Sequence, residues 1–481
     1  MSSASKFNPA GWRVCVIGAQ RSGVAAAAVL KSLGAHVLLS DSRQATAFEA
    51  QLVADAAASA SEVAFGASPQ VAVPEDFDLV VTSPGVNKNA EVLRRAVRLG
   101  IPVWAEIELA YRIAPCRIVA VTGTNGKTTT SILTADILNR CGIEAEVAGN
   151  VSADNIKRTL VDAAADAREE NAVNRVIVAE ISSFQLEWVE QFCPFVAMLT
   201  NITPDHLNRH ANFEEYASAK ANLFRAQTSA EHAIFNADDA ASVEIAARGF
   251  HGTTLLVSNR SHLPSPSASV IDGWMTIDPT TEHDDPIHLL RCDEMPPSLP
   301  GAHSITNALM AGTAAYLCGA QPECIGSAIK GFAGVAHRME IVAEVNGVCY
   351  INNSMCTNVA AAIASIEAVH GPCIVIAGGA DKELEYAPLA VVLEKHTKFA
   401  ILIGNVADKM DETFRAGGFQ RIYRAETLEE AVNHAASEAS AGDTVLLAPA
   451  CASFDMFRDF EHRGAAFREA VQHLVEGGKT Q

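Results

Sequence analysis

Short apolar runs of five or six residues alternate with Ala-rich helical stretches along nearly the whole chain. Runs of that length bounded by Gly, Asn or Asp read as buried strands. Their regular alternation with helices predicts parallel α/β sheets. Three blocks emerge. The first runs from Trp12 to about Arg112 and opens with strand Arg13–Ile17, the turn Gly18-Ala-Gln-Arg-Ser-Gly23, an Ala-rich helix, and strand His36–Ser40 ending at Asp41. Strand Leu79–Val81 then leads into Thr82-Ser83-Pro84-Gly85. The second block starts at strand Arg117–Thr122, includes strands Arg175–Ala179 and Phe195–Leu199, and reaches about Gly334. The third has strand-then-loop units on Val348–Ile351, Cys373–Ile376, Phe399–Ile403 and Val445–Leu447.

The expected domains are 1–112, 113–334 and 335–481. The fold class is α/β: a Rossmann-like N-terminal domain, a central P-loop-type domain with a mostly parallel sheet and helices on both faces, and a Rossmann-like C-terminal domain. Two segments break the pattern. Residues 153–174 are rich in Ala, Asp and Glu, and 258–298 in Ser and Pro. Both are expected to be exposed connections without chemistry.

Composition narrows the classes. The length of 481 residues suits about three domains. No apolar run is as long as a membrane span, and the N-terminus lacks a signal-peptide pattern. Asp+Glu number 56 against 36 Lys+Arg, a formal charge of −20. Such a surface repels a polyphosphate backbone, which excludes nucleic acid as a partner. Eleven cysteines without a C-x-x-C pair predict reduced, buried thiols in the cytoplasm, with neither zinc nor disulfides.

The sharpest chemical signal is Gly123-Thr124-Asn125-Gly126-Lys127-Thr128-Thr129, placed between a strand and an Ala/Leu-rich helix. Backbone amides of such a turn cradle phosphates, the Lys reaches the terminal phosphates, and the hydroxyl after it holds Mg²⁺. Val121 stands where the longer form of this motif has Gly. Glu180 closes strand Arg175–Ala179, and Asn201-Ile-Thr-Pro-Asp205-His206 follows Phe195–Leu199. The tips at Thr122, Glu180 and Asn201 are therefore expected to share one crevice, where Glu180 can bind Mg²⁺ directly or through water. In the first block Gln20 replaces the middle Gly of G-x-G-x-x-G, so a sugar-nucleotide site and an ordinary βα turn both remain open. Taken alone, Lys220 in Tyr216-Ala-Ser-Ala-Lys220 reads as a solvated helical lysine.

Together these strings resemble the Mur ligases. The resemblance is carried by Gly123–Thr128, Glu180-Ile-Ser-Ser-Phe-Gln-Leu-Glu187, Asn201–His206, Pro300-Gly-Ala-His303 through Asn307, His337-Arg338, Gly378-Gly-Ala-Asp-Lys382 and Pro449-Ala-Cys-Ala-Ser453. It runs in order from about Arg13 to Phe467. The Ser-Ser-Phe-Gln-Leu-Glu and Ala-Cys-Ala-Ser-Phe-Asp strings are most like the family member that adds glutamate.

The resemblance implies ATP-dependent ligation of D-glutamate to UDP-N-acetylmuramoyl-L-alanine through an acyl phosphate, in a cytoplasmic monomer that makes cell-wall precursor. It implies ATP and two Mg²⁺ sites. Gly123 to Thr129, Asn307 and Arg338 would hold ATP, with Lys127 on its phosphates. Thr128, Glu180, His206 and a carbamylated Lys220 would serve the metals. Lys127, Glu180, His206 and Lys220 would be the catalytic set. Gly18, Ser22, Asp41, Ser42, Arg43, Ser83, Pro84 and Gly85 would hold the uridine nucleotide, and Asn150 the muramoyl-alanine part. Thr357, Lys382, Ser453 and the Phe460 backbone would hold glutamate.

The family string Asn-Asp-Ser-Lys-Ala-Thr-Asn reads here Asn352-Asn353-Ser354-Met355-Cys356-Thr357-Asn358. An acid and a base are missing, and Arg458 is a candidate for the replacement cation. The alternatives are the same reaction with L-glutamate or another amino acid, a folylpolyglutamate synthetase, or a non-catalytic Mur-like scaffold. About 110 residues ahead of the phosphate loop argue against the synthetase, and the intact Lys127, Thr128, Glu180, His206 and Lys220 against the scaffold.

Overall fold

The computed structural model describes residues 7–68, 76–151, 156–206, 209–260, 262–279, 286–369, 371–381 and 384–478. The chain is a three-domain α/β protein on three sheets. It divides into two compact units: Met1–Ser152, Ile156–Cys292 and Thr306–Ile329 in the first, Ala153–Asn155, Asp293–Ile305 and Lys330–Gln481 in the second.

The first unit contains two sheets. One is formed by β1 (Arg13–Ile17), β2 (His36–Asp41), β3 (Glu62–Phe65), β4 (Leu79–Thr82) and β5 (Val103–Ala105), in the order β3-β2-β1-β4-β5. All its pairings are parallel. Its central strands are buried on both faces, which is why they read as unbroken apolar runs.

The second sheet has nine strands: β6 (Arg117–Thr122), β7 (Ala145–Gly149), β8 (Val176–Glu180), β9 (Val196–Leu199), β10 (His232–Asn236), β11 (Thr253–Ser258), β12 (Ser267–Ile271), β13 (Trp274–Asp278) and β14 (Ile287–Arg291). Their order is β14-β13-β12-β11-β10-β9-β6-β8-β7. Strand β6 lies between β8 and β9, with Val121 opposite Glu180 and Thr122 opposite Leu199. The chain departs to opposite sides at β6, and its C-terminal end is where an open sheet receives a ligand.

Two expectations are corrected here. Residues 258–298 are not an irregular excursion, because β12, β13 and β14 form an antiparallel meander. The Asp272-Gly273 turn joins Ile271 to Trp274 with φ of 50° and 80°, the doubly positive form that Asp-Gly favours in a hairpin. Within 153–174, Leu160–Glu169 is a helix, capped by Thr159 Oγ1, which accepts from the Asp162 amide at 3.0 Å. It buries Leu160, Val161, Ala163, Ala164 and Ala167. Acidic residues on its outer face hid a one-sided apolar pattern.

The thiol expectation also changes. Cys141 and Cys324 form a disulfide with 5.7 Å between Cα atoms. They lie 183 residues apart, and nothing in their spacing marks them as partners.

The second unit is built on β15 (Glu340–Val345), β16 (Val348–Asn352), β17 (Cys373–Gly378), β18 (Thr397–Ile403), β19 (Ile422–Arg424) and β20 (Thr444–Leu447), ordered β15-β16-β20-β17-β18-β19. Only β15 is antiparallel to its neighbour. No helix among the described residues is long and apolar enough to cross a membrane.

Candidate active site

The turn after β6 enters the helix Lys127–Arg140. Gly123 and Gly126 have φ of +146° and +85°. A Cβ on Gly123 would come within 2.0 Å of Thr200 Oγ1, and one on Gly126 within 2.7 Å of Asn307 Oδ1. Sterics therefore demand both glycines, and the second brings Asn307 against the loop. The loop is anchored to the segment after β9. Asn125 N donates to Asn201 Oδ1 at 2.9 Å, Thr200 Oγ1 to Asn125 O at 2.6 Å, and Thr203 N to Thr124 Oγ1 at 3.0 Å. Lys127 Nζ donates to Thr124 O at 2.9 Å.

Thr128 Oγ1 donates to Glu180 Oε2 at 2.7 Å, and both residues are buried. Thr129 Oγ1 is buried without a hydrogen-bond partner. Among the described residues no group of three or more His, Cys, Asp and Glu forms a metal cage. A hydroxyl, a carboxylate and an anion-receptive turn fit Mg²⁺ that takes most of its ligands from phosphate and water.

Lys220 is buried, not solvated as its helical context alone suggests. Its Nζ donates to Gly123 O at 2.8 Å and lies 4.7 Å from the centre of the Tyr216 ring. Burial first, and the Lys127 charge second, push its pKa well below that of an ordinary lysine, against the pull of Asp205 and Glu180. The neutral amine is the form that can add CO₂. His206 sits at φ +54°, its side chain half exposed, 5.0 Å from the Phe184 ring and 6.4 Å from that of Tyr216, measured between centroids.

In the first domain all eight residues expected at the uridine nucleotide line one cavity of about 820 Å³. Gly18 takes φ +98°, and a Cβ on Gly23 would meet Gly18 O at 1.8 Å. Gln20 adopts an ordinary φ of −99°, so the turn closes without a middle glycine. The Asp41 carboxylate accepts from Ala19 N at 3.0 Å and from Arg43 N, Nε and Nη2 at 2.9 to 3.0 Å. Burial raises its pKa, but these hydrogen bonds outweigh burial and hold it below the usual value. Asn150 is anchored by its amide, which donates to Glu180 O at 2.8 Å.

In the second unit the loops after β16 and β20 are joined by Arg463, which no sequence signal marked. Its guanidinium is buried and bonds Ser354 Oγ, Ser354 O, Cys451 O and Ala452 O at 2.8 to 3.2 Å. Ser453 is buried and Thr357 half-buried on these same loops. The Phe460 carbonyl accepts from Ser354 Oγ at 2.7 Å. Lys382 lies outside the described residues.

The two departures from the family string have local explanations. Asn353 Oδ1 accepts from Met339 N at 3.2 Å, while Nδ2 donates to Ser365 Oγ at 2.7 Å. Ser365 gives its own proton to Ala361 O, so an Asp at 353 would face lone pairs. Met355 Sδ receives Arg338 Nη1 at 3.7 Å. Arg338 is thus a cation in contact with Met355, and Arg458, the expected candidate, is exposed. The acid and base are lost together, which leaves the net charge of the loop unchanged.

Three α/β sheets and a phosphate-loop turn at the C-terminal end of β6 define the class, a multidomain α/β nucleotide-dependent enzyme. The chain matches the Mur ligase MurD-like N-terminal domain over residues 12–105, the Mur ligase middle domain over 121–315, and the Mur ligase glutamate ligase domain over 337–451. It belongs to the Mur ligase family. It is 41% identical over 465 residues to the UDP-N-acetylmuramoylalanine–D-glutamate ligase of Pelotomaculum thermopropionicum, covering 97% of this chain and 98% of that one. The enzyme of the same name from Acidobacterium capsulatum is 40% identical, with 96% of each chain covered. Among solved structures, the UDP-N-acetylmuramate-alanine ligase of Thermotoga maritima matches with a TM-score of 0.57 at 17% identity, covering 96% of this chain and 99% of that one. A pseudomurein peptide ligase type C from Methanothermus fervidus gives 0.56 at 18%, covering 96% and 100%. At such identities these structures speak for the fold alone.

Proposed function

We infer that the chain is an ATP-dependent ligase joining D-glutamate to UDP-N-acetylmuramoyl-L-alanine in peptidoglycan precursor synthesis, acting in the cytoplasm as a monomer. The observation that supports this most is the 41% identity to a ligase of that name over 97% of the chain. Residues 1–112 would bind the uridine nucleotide, 113–334 ATP, and 335–481 glutamate.

The alanine carboxylate attacks the γ-phosphorus, ADP leaves, and an acyl phosphate results. The glutamate amine then attacks the acyl carbon, and phosphate leaves. Mg²⁺, at two sites, supplies charge neutralisation at the phosphates. The loop amides from Gly123 to Thr129 and Lys127 hold the phosphates in line, with Asn307 and Arg338 on the nucleotide. Thr128 and Glu180 would hold one cation, and His206 and a carbamylated Lys220 the other. The turn Gly18–Ser22, Asp41, Ser42, Arg43 and Ser83 to Gly85 orient the uridine nucleotide, and Asn150 the muramoyl-alanine part. Thr357, Lys382, Ser453 and the Phe460 backbone hold the amino acid. Asn353 and Met355, a charge-neutral exchange with local partners, are compatible with turnover.

Purified protein should release phosphate only when ATP, UDP-N-acetylmuramoyl-L-alanine and D-glutamate are all present, with an L-glutamate arm run alongside. Release with L-glutamate alone, with a folate acceptor, or with none of these would overturn the reading.

A further inference from the structure

The turn Ser83–Lys88 faces two ways. Ser83, Pro84, Gly85, Val86 and Asn87 line the 820 Å³ cavity. From the same turn the Val86 carbonyl accepts from Arg209 Nη2 at 2.7 Å, and Lys88 is ion-paired with Glu215. Arg209 lies three residues beyond His206. Glu215 belongs to the helix Phe213–Ala221, which carries Lys220.

Both ties are firmly seated. Arg209 Nη2 also meets Glu187 Oε2 at 2.6 Å, with the two side chains only 11% and 4% exposed. The Arg209 guanidinium stands 4.7 Å from the centre of the Phe184 ring. Glu215 accepts from Ala211 N at 2.6 Å through Oε2, and its amide is capped by Asn212 Oδ1 at 2.8 Å. A shift of the turn when the cavity fills must therefore move Arg209 and the Lys220-bearing helix or break the Arg209–Val86 hydrogen bond and the part-buried Lys88–Glu215 pair.

We propose that Arg209 and Lys88 are positioning residues that couple occupancy of the cavity by the uridine-linked substrate to binding of Mg²⁺-nucleotide at the phosphate loop. Neither residue lines the cavity. The coupling rests on the function proposed above, and being a binding linkage it is reciprocal: each ligand tightens the other by the same factor.

The test is calorimetric titration of UDP-N-acetylmuramoyl-L-alanine into the full chain, with and without Mg²⁺ and a non-hydrolysable ATP analogue. In the wild type the analogue should tighten binding about fivefold or more. In Lys88→Met and in Arg209→Lys the factor should fall below about twofold, while the affinity for the analogue alone changes less than about threefold. Arg209→Lys retains the charge opposite Glu187 but lacks the fork that reaches both Glu187 and Val86. Lys88→Met removes a part-exposed cation, and an unchanged melting temperature shows that it folds. A wild-type factor near one, or variants that retain the full factor, overturns the coupling and leaves the proposed function intact. Failure of the wild type to bind the uridine-linked substrate at all overturns the proposed function and the coupling with it.

Discussion

Lys220 Nζ donates a 2.8 Å hydrogen bond to the carbonyl of Gly123, the residue that opens the phosphate loop. A buried amine is thereby fixed beside the turn proposed to cradle phosphates. Its pKa is depressed by burial and by Lys127. An unfolded chain keeps this proton up to about pH 10.4, whereas the folded chain gives it up earlier, so stability rises with pH in that window. Lys220→Met removes this penalty. It should raise the melting temperature at pH 7 by about 2–4 °C while lowering turnover by about a hundredfold or more. Calorimetry and a phosphate-release assay on the same preparation check both. A variant that is both active and less stable would refute the assignment.

Thr128 and Glu180 form the second prediction. The Thr128 hydroxyl donates to a carboxylate oxygen shielded from water. Thr128→Val leaves that oxygen short of a partner, at about 1–3 kcal/mol. The same hydroxyl is a proposed cation ligand, so the Mg²⁺ concentration giving half-maximal activity should rise about tenfold or more. Thr128→Ser should stay near the wild type in both. Equal Mg²⁺ dependence in Val and Ser variants would remove Thr128 from the metal site.

Much of this was legible from sequence, and the failures have identifiable causes. The buried parallel strands β1, β6 and β8 read correctly because both of their faces are covered, leaving no polar residue inside the run to break it. The glycines of the phosphate loop were readable because the turn tolerates nothing larger. The β12–β13 hairpin was missed because Ser267 and Ser269 are buried polar residues that imitate a loop, although Asp272-Gly273 did signal the turn. Arg463 and Arg209 were missed for a different reason. A buried arginine satisfied by carbonyls from distant loops has the same local sequence as one in water, and only the tertiary partners distinguish them.

Arg463 supplies the third prediction. Its pKa is lowered to about 10, chiefly by burial, so it stays protonated at neutral pH. It bonds the carbonyls of Ser354, Cys451 and Ala452 and so sets the distance between the loops that bear Thr357 and Ser453. Arg463→Met orphans those acceptors and should cost about 3 kcal/mol in urea unfolding. The KM for glutamate should rise about tenfold, with the KM for the uridine-linked substrate changing less than about twofold. A parallel rise in both constants would point to general loosening instead.

His210 gives a dependence on pH whose sign is fixed. The ring is buried, with Nε2 3.0 Å from Ser183 Oγ and Nδ1 without a hydrogen-bond partner. Burial first, then the charges of Lys88, Arg209, His206 and Lys220, push its pKa down to about 4. An unfolded histidine titrates near 6.5. Between those values the unfolded chain takes up a proton that the folded chain refuses, so stability is lost as pH falls through the window and is complete above it. The loss approaches about 3 kcal/mol at the acid end. His210→Gln can still bond Ser183 but cannot titrate. Its melting temperature should therefore fall less steeply than that of the wild type between pH 6.5 and 4.5, with the two curves parallel above pH 7. Curves that stay parallel down to pH 4.5 would mean that the folded ring accepts its proton as readily as the unfolded one.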